Sequence, residues 1–244
     1  MSSADNRKLL IVIPARGGSK GLPGKNTKIL GDIPLLGWTA EAVNQSGIDN
    51  AITVLSTDDP EIARIGEQSG ISVPFIRPAE LSTDTASAVD VALHALDWME
   101  KESNTQFKYL MLLQPTSPFR SPQIITDALA IIEAQNVDAV LGVKSIYRSL
   151  HTLFQVDSDN LLVSLKSTDN NSTRRQEVKP IYTPNGAMYL IRCETLRAGK
   201  TFFTNRLREI VMDQMCSHDI DDPLDWEIAQ AFVSANLTWR SLCL

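Results

Sequence analysis

The sequence predicts a three-layer α/β fold, with an open and mainly parallel sheet between helices on both faces. Three observations carry that expectation. Short, evenly apolar, β-rich runs alternate with amphipathic stretches as far as Val143. Three helical stretches open on an oxygen-bearing residue followed by proline, at Asp59-Pro60, Ser121-Pro122 and Asp222-Pro223, which suits an N-cap with Pro at the first helical position. Of the 244 residues 43% are apolar, enough for one large domain with a sizeable core. Strands and helices in strict alternation make βαβ units, and right-handed crossovers then give a Rossmann-like sheet.

The strands are expected at 9–14, 51–56, 73–76, 109–113 and 139–143, too short and too evenly apolar for surface helices. Between them lie helices at 34–45, 60–68, 86–101 and 122–134. Strand character returns at 186–191 and 209–213, and 222–236 closes the chain as a helix. From 144 to 183 the pattern breaks and SLKSTDNNSTRRQEVKP is polar and turn-prone. The same stretch holds too many apolar residues for a solvated loop, among them Leu150, Leu153, Phe154, Val156, Leu161, Leu162, Val163 and Leu165. It is expected to be a β-hairpin arm that packs on a second subunit. The domain is therefore 1–143 with 184–244, and 144–183 is an inserted dimerisation arm.

Composition excludes several classes. The longest apolar runs are about five residues, where a membrane span needs ~20, and the first residues lack the longer apolar stretch of a secretory signal. A cytoplasmic chain is expected. Cys193, Cys216 and Cys243 are odd in number without CxxC spacing, so they read as reduced thiols rather than a disulfide framework or zinc knuckle. A net charge of −6 argues against nucleic acid as a partner.

Against that acidic background, Pro14 to Asn26 is a local cation cluster. It follows the first strand directly and carries Arg16, Lys20 and Lys25 with no acid before Asp32. At the carboxyl end of a parallel strand, glycines let backbone N–H groups turn toward an anion, and a polyphosphate is the natural guest. Two familiar loops fail by counting. A Walker A loop needs glycine where Ser19 stands and Ser or Thr where Asn26 stands; a dinucleotide fingerprint needs glycine where Arg16 stands.

IPARGGSKGLPGKN (13–26), RPAEL and DTAS (77–87), LLQPTSPFR (112–120), RRQ (174–176), PNGAMY (184–189) and DID (219–221) together resemble the acylneuraminate cytidylyltransferases, or CMP-sialic acid synthetases. The matches occur in family order and cover nearly the whole chain. The resemblance implies transfer of CMP from CTP to the anomeric hydroxyl of a nine-carbon keto acid, a nonulosonic acid, with release of pyrophosphate.

It also implies roles for particular residues. Arg16, Gly17, Ser19, Lys20, Lys25 and Asn26 would form the triphosphate loop, with Arg16, Lys25 and Asp221 closest to the chemistry. Arg77 and backbone near Ala86 and Ala88 would read the cytosine edge. Gln114, Thr116, Ser117, Arg175, Asn185, Tyr189, Phe202 and Phe203 would line the acceptor pocket, with Arg175 acting across a homodimer. In an extended stretch, Asp219 and Asp221 would point outward together while Ile220 points into the core. Such a pair suits Mg²⁺, which takes one or two carboxylates plus phosphate oxygens and water. DTAS reads as a helix start capped by Thr85 or Asp84, and Asp222 with Asp225 as the cap and first-turn charge of the last helix. No catalytic role falls to His94 or His218.

One departure bears on the acceptor. Where the family carries an HPLKTL-like stretch, this chain reads RSLHTL, with His151 in place of the lysine and Arg148 nearby. Legionaminate or pseudaminate are therefore alternatives to N-acetylneuraminate. A Kdo-activating enzyme, a uridylyl- or guanylyltransferase and a catalytically idle nucleotide-binding subunit are the remaining readings.

Overall fold

The computed structural model describes residues 9–148, 152–165 and 180–242. The chain runs β1 (Leu9–Pro14), a short ribbon of β2 (Ile29–Leu30) and β3 (Ile33–Pro34), α1 (Leu35–Gln45), β4 (Ala51–Ser56), α2 (Pro60–Gln68), α3 (Ala88–Ser103), β5 (Tyr109–Leu112), α4 (Pro122–Ala134) and β6 (Ala139–Ile146). There follow β7 (Phe154–Val156), β8 (Leu162–Ser164), β9 (Ile181–Arg192), α5 (Cys193–Gly199), β10 (Leu207–Val211), α6 (Pro223–Ser234) and α7 (Trp239–Leu242). Six strands form the central sheet in the order β10-β6-β9-β5-β1-β4. All neighbours are parallel except β9, which runs antiparallel to both β5 and β6.

The pleat of β1 shows why helices cover both faces. Leu9, Ile11 and Ile13 pack with Leu36 and Trp38 of α1 and Ile125 of α4, whereas Leu10 and Val12 pack with Ala92, Ala95 and Leu96 of α3. Alternate side chains of one strand thus enter two separate cores, which is why LLIVI is apolar without interruption. The chain leaves β1 toward β4 on one side and then crosses back to β5 on the other. The crevice beyond the carboxyl ends of β1 and β5 is a topological switch point.

Local chemistry sets most boundaries. Asp59 accepts from the N–H groups of Glu61 (2.8 Å) and Ile62 (3.2 Å) and starts α2. Asp222 and Asp225 form a reciprocal capping box on α6. Ser121 precedes α4 as expected but makes no side-chain cap bond. The start of α3 is Ser87, whose Oγ accepts from the Asp90 N–H at 3.0 Å, not Thr85 or Asp84; Asp84 is drawn instead to Arg16 and Lys20. Residues 73–76 form no strand. The flanking bridges Val54–Ser72 and Thr57–Ile76 stay isolated, because Pro74 between them offers no N–H to a ladder.

The second half extends further than the expected 186–191 and 139–143. The ladder of β6 and β9 continues through Lys144–Thr183, Ser145–Tyr182 and Ile146–Ile181, with a bulge between Leu141 and Val143. Gly142 sits at that bulge, where a Cβ would lie 2.9 Å from Asn185 Oδ1 and 3.1 Å from Met212 Sδ. The sequence reading assigned no element to α5 or α7. Beyond the sheet, β7 and β8 pair as an antiparallel hairpin. Its turn is held by the Asp157 carboxylate, which accepts from the N–H groups of Asp159 and Leu161, both at 2.9 Å. Phe154, Val156, Leu161, Leu162 and Val163 on this hairpin are exposed.

Candidate active site

The loop 15–28 leaves β1 and turns back on itself. Gly17 N–H donates to Asp58 Oδ1 at 3.2 Å, Asn26 Nδ2 donates to the Arg16 carbonyl at 3.2 Å, and Gly24 takes the left-handed conformation at φ 67°. Gly21 lies so close to Asp221 that an added Cβ would sit 2.2 Å from its carbonyl oxygen. Only glycine permits that approach. The loop is thereby pressed against the DID segment, which arrives from the far end of the chain.

The contact is chemical as well as steric. Lys25 Nζ donates to the Ile220 carbonyl at 2.8 Å and reaches Asp221 Oδ1 at 3.2 Å. Ile220 is fully buried and its N–H donates to the Thr116 carbonyl at 2.8 Å. Its core position divides the two acids as the alternation requires, but they are not equivalent. Asp221 is exposed, whereas Asp219 is half-buried and its Oδ1 is buried without a hydrogen-bond partner. Burial is the main cause that raises the Asp219 carboxyl above its ordinary pKa; the Thr116 side chain and Lys25 oppose the shift, and the neighbouring Asp221 charge adds to it.

The cleft so formed has a volume of about 390 Å³ and holds both termini of the predicted constellation. Arg16, Ser19, Lys20, Lys25 and Asn26 line one wall, with Asp221 beside them. Arg77, Ala86 and Ala88 line another, and Gln114 and Thr116 follow from the end of β5. Arg77 is only 4% exposed. Its Nε donates to Ser82 Oγ at 3.1 Å, and its Nη2 stands 3.6 Å from Asp58 Oδ1 without a hydrogen bond. Burial pulls its pKa down, and Asp58 opposes that shift.

The remaining predicted residues sit elsewhere. Gly17 belongs to the loop, but its amide is committed to Asp58 rather than free for a ligand. Ser117 is fully buried beneath the cleft wall. Asn185 is 5% exposed, and both ends of its amide are engaged within the fold: Nδ2 donates to Ser217 Oγ (2.9 Å) and Oδ1 accepts from the Ala187 N–H (3.1 Å). Phe202 is packed in the core, 5.2 Å from the half-buried Tyr189 ring. Tyr189 is raised in pKa by burial and then by the charge of Asp219. Phe203 is exposed and lines a separate groove of about 240 Å³ with Tyr182, Pro184 and Leu207. Arg175, Arg174, Gln176 and His151 lie outside the described residues.

Three residues at the site carried no functional signal in the sequence. Asp84 forms an ion pair with Arg16 at 2.6 Å and another with Lys20. Asp58 stands between Gly17 and Arg77. Arg120, the last residue of LLQPTSPFR, is fully buried and donates to the carbonyls of Gln114 and Ala187 and to Thr39 Oγ1. Burial without a carboxylate partner pushes its pKa down to about 9, so at neutral pH it remains a cation.

A cleft of this charge, at the carboxyl edge of a mainly parallel sheet, suits the phosphates of a nucleotide. Comparison with known proteins narrows the class: the family model described as cytidylyltransferase matches residues 10–231, and the chain belongs to that family. CMP-N,N'-diacetyllegionaminic acid synthase of Legionella pneumophila is 34% identical over 230 residues, which is 94% of this chain and 97% of that one. N-acylneuraminate cytidylyltransferase of Streptococcus agalactiae is 34% identical over 215 residues, 88% of this chain but 50% of the relative, so this chain spans about half its length. Among solved structures, CMP:2-keto-3-deoxy-manno-octonic acid synthetase complexed with CTP superposes with a TM-score of 0.66 at 18% identity, covering 94% of this chain and 99% of the other. The last likeness concerns the fold. No helix among the described residues is long and apolar enough to cross a membrane.

Proposed function

We propose that the protein transfers CMP from CTP to the anomeric hydroxyl of a nonulosonic acid and releases pyrophosphate. The observation that carries this reading is the pairing of Lys25 with the Ile220 carbonyl and Asp221, which joins the cationic loop to the DID segment in a cleft that Arg77 also lines. The names of the Legionella and Streptococcus relatives, both describing CMP chemistry on such acids, support it.

In this reading Arg16, Lys20 and Lys25 bind the triphosphate, with Ser19 and Asn26 completing the loop. The acceptor oxygen attacks the α-phosphorus; the new P–O bond forms as the bond to pyrophosphate breaks. Negative charge grows on the departing bridging oxygen, and cations fixed in place beforehand lower that barrier. No covalent enzyme intermediate is needed. Arg77 and the backbone near Ala86 and Ala88 read the cytosine edge, where the exocyclic amine distinguishes it from uracil. Gln114, Thr116 and Tyr189 face the acceptor, and Ser117, Asn185 and Phe202 shape that side from within the core.

Asp219 and Asp221 suit Mg²⁺. Asp219 offers a buried oxygen that no protein donor satisfies, and Asp221 offers an exposed carboxylate. Two carboxylates leave room for the water and phosphate oxygens that this ion prefers. Bound there, Mg²⁺ would neutralise charge on the triphosphate. The exposed apolar hairpin supports a homodimer, in which Arg175 and Phe203 serve the acceptor side across the interface. A cytoplasmic setting completes the reading.

The test is a matrix of nucleoside triphosphates against N-acetylneuraminate, N,N'-diacetyllegionaminate, pseudaminate and Kdo, read by pyrophosphate release and by mass spectrometry of the conjugate. A CMP conjugate is expected with CTP and a nine-carbon acid. Release with UTP or GTP in preference to CTP, or no conjugate with any of the three nine-carbon acids, would refute the proposal.

A further inference from the structure

Arg77 presents an unusual arrangement for a buried cation. Its side chain is 3% exposed, yet among the described residues no carboxylate is in bidentate contact with it. Nε is held by Ser82 Oγ, a neutral partner, at 3.1 Å. Nη2 is buried without a hydrogen bond, and the acid facing it, Asp58, stands 3.6 Å away. That distance is too long for a hydrogen bond but short enough for direct charge attraction between the buried guanidinium and a partly exposed carboxylate. A guanidinium clamped bidentately by a carboxylate gives up two of its five N–H donors. One held from a single side at 3.6 Å keeps its donor.

Asp58 is itself fixed from several directions. It follows β4, between Thr57 and the Asp59 cap of α2. The Thr57 carbonyl accepts from the Arg77 N–H at 2.7 Å, so the backbones that carry the acid and the arginine are bonded to each other. The Asp59 N–H donates to Thr57 Oγ1 at 3.2 Å and stiffens the turn. From this position the same Asp58 Oδ1 that faces Arg77 also accepts the Gly17 N–H at 3.2 Å, bridging 41 residues of chain. One carboxylate oxygen therefore touches the phosphate loop and addresses the buried guanidinium. The charges acting on Arg77 are Asp58, which favours the cation, and Arg16, which disfavours it.

We propose that Asp58 is the positioning residue of the cleft: its carboxylate anchors the loop at Gly17 and aims the Arg77 guanidinium into the nucleobase side without consuming its donor. The inference rests on the reading of the cleft as a CTP site and adds to it a coupling. Base and phosphate subsites share one support, so a change at Asp58 is felt at Arg77 through charge and at the loop through a hydrogen bond.

These two effects separate chemically. Asp58→Asn keeps an acceptor for the Gly17 N–H and removes the charge; Asp58→Ala removes both. Calorimetry with CTP and with inorganic tripolyphosphate, which has no base, reads them apart. Asp58→Asn is expected to weaken CTP about 10- to 100-fold, the scale on which a buried charge partner acts, and tripolyphosphate less than about threefold. Asp58→Ala is expected to weaken both. In the background of Arg77→Met, adding Asp58→Asn is expected to cause no further loss of CTP affinity, which a general loosening of the fold would not reproduce. Asp58→Glu, which keeps the charge beside Arg77 while moving the carboxylate, tests the idea should Asp58→Asn fail to fold; its CTP affinity is expected to fall no more than its tripolyphosphate affinity.

Equal losses for CTP and tripolyphosphate in Asp58→Asn, additive losses in the double variant, or an Asp58→Glu loss for CTP more than about tenfold beyond that for tripolyphosphate would each overturn the assignment. If the unsubstituted protein binds tripolyphosphate but not CTP, the reading of the cleft falls and this inference with it. If it binds CTP and Asp58→Asn does so equally well, the inference alone falls.

Discussion

Arg16 and Arg77 line the same cleft and differ in almost every physical respect. Arg16 is partly exposed, its side chain 32% accessible, and shares the exposed Asp84 with Lys20. Arg77 is nearly inaccessible, fixed by Ser82 and faced by Asp58. Exposed charges act through a screened field and tolerate movement, whereas a buried guanidinium acts through direction and has no water to replace a lost partner. The phosphate wall is thus a diffuse cationic surface and the base wall a rigid reader. Lys25 stands between these extremes, with a 13% exposed side chain bonded to the DID segment.

The largest effect is expected where that intermediate cation is removed. Lys25→Ala should lower turnover by about 10²- to 10³-fold, the range for losing one fixed group at a developing charge, while thermal melting remains cooperative. Near-normal steady-state rates would erase the distinction between Lys25 and its exposed neighbours. The paired substitutions Arg77→Lys and Arg16→Lys address the contrast directly. A lysine keeps charge and loses the planar fork, so Arg77→Lys should raise the CTP dissociation constant by about tenfold or more. Arg16→Lys should stay within about fivefold and weaken further as salt rises. Equal losses in titrations at two ionic strengths would break the comparison.

Asp84 offers a smaller test. Its carboxylate occupies Arg16 and Lys20 where an anion would bind, and the cations hold its pKa below the ordinary carboxylate value. Asp84→Asn should therefore tighten tripolyphosphate binding by a few-fold at low salt, and weaker binding would make Asp84 an orienting support instead. The smallest effect concerns stability. His94, packed edge-on against Phe75, is pushed below its ordinary 6.5, first by burial and then by Arg77, with Asp97 and Glu80 opposing. A histidine whose native pKa is depressed contributes fully above the unfolded value and loses that contribution as pH falls below about 6.5. His94→Leu should flatten the acid side of a denaturation midpoint profile; an unchanged slope between pH 7 and 5 would remove His94 as its source.

Much of this architecture can be read from local chemistry. Leu9–Pro14, Ala51–Ser56, Pro60–Gln68 and Pro122–Ala134 have the boundaries expected of them, because an unbroken apolar run or a capped proline start is a signal contained within the segment. The loop cations were equally visible, being contiguous in an acidic chain. What escaped depends on distant partners. Asp58 meets Gly17 across 41 residues, and Arg120 meets Ala187 across 67; nothing near either residue announces the contact. Burial also separates neighbours that look alike in sequence. Phe202 is in the core and Phe203 is not, and Asn185 looks like a binding amide until its two ends are traced to Ser217 and Ala187.

Arg120 has one further consequence. It fastens the turn after β5 to α1 and β9 from inside the core, so the Gln114 side of the cleft has little freedom to shift. The glycine loop is pinned at Gly17 and Lys25, and its outer cations Arg16 and Lys20 rest on solvent-facing ion pairs with Asp84. Displacing Asp84 from those two cations would then loosen only the rim, while the floor of the cleft stays where the core holds it.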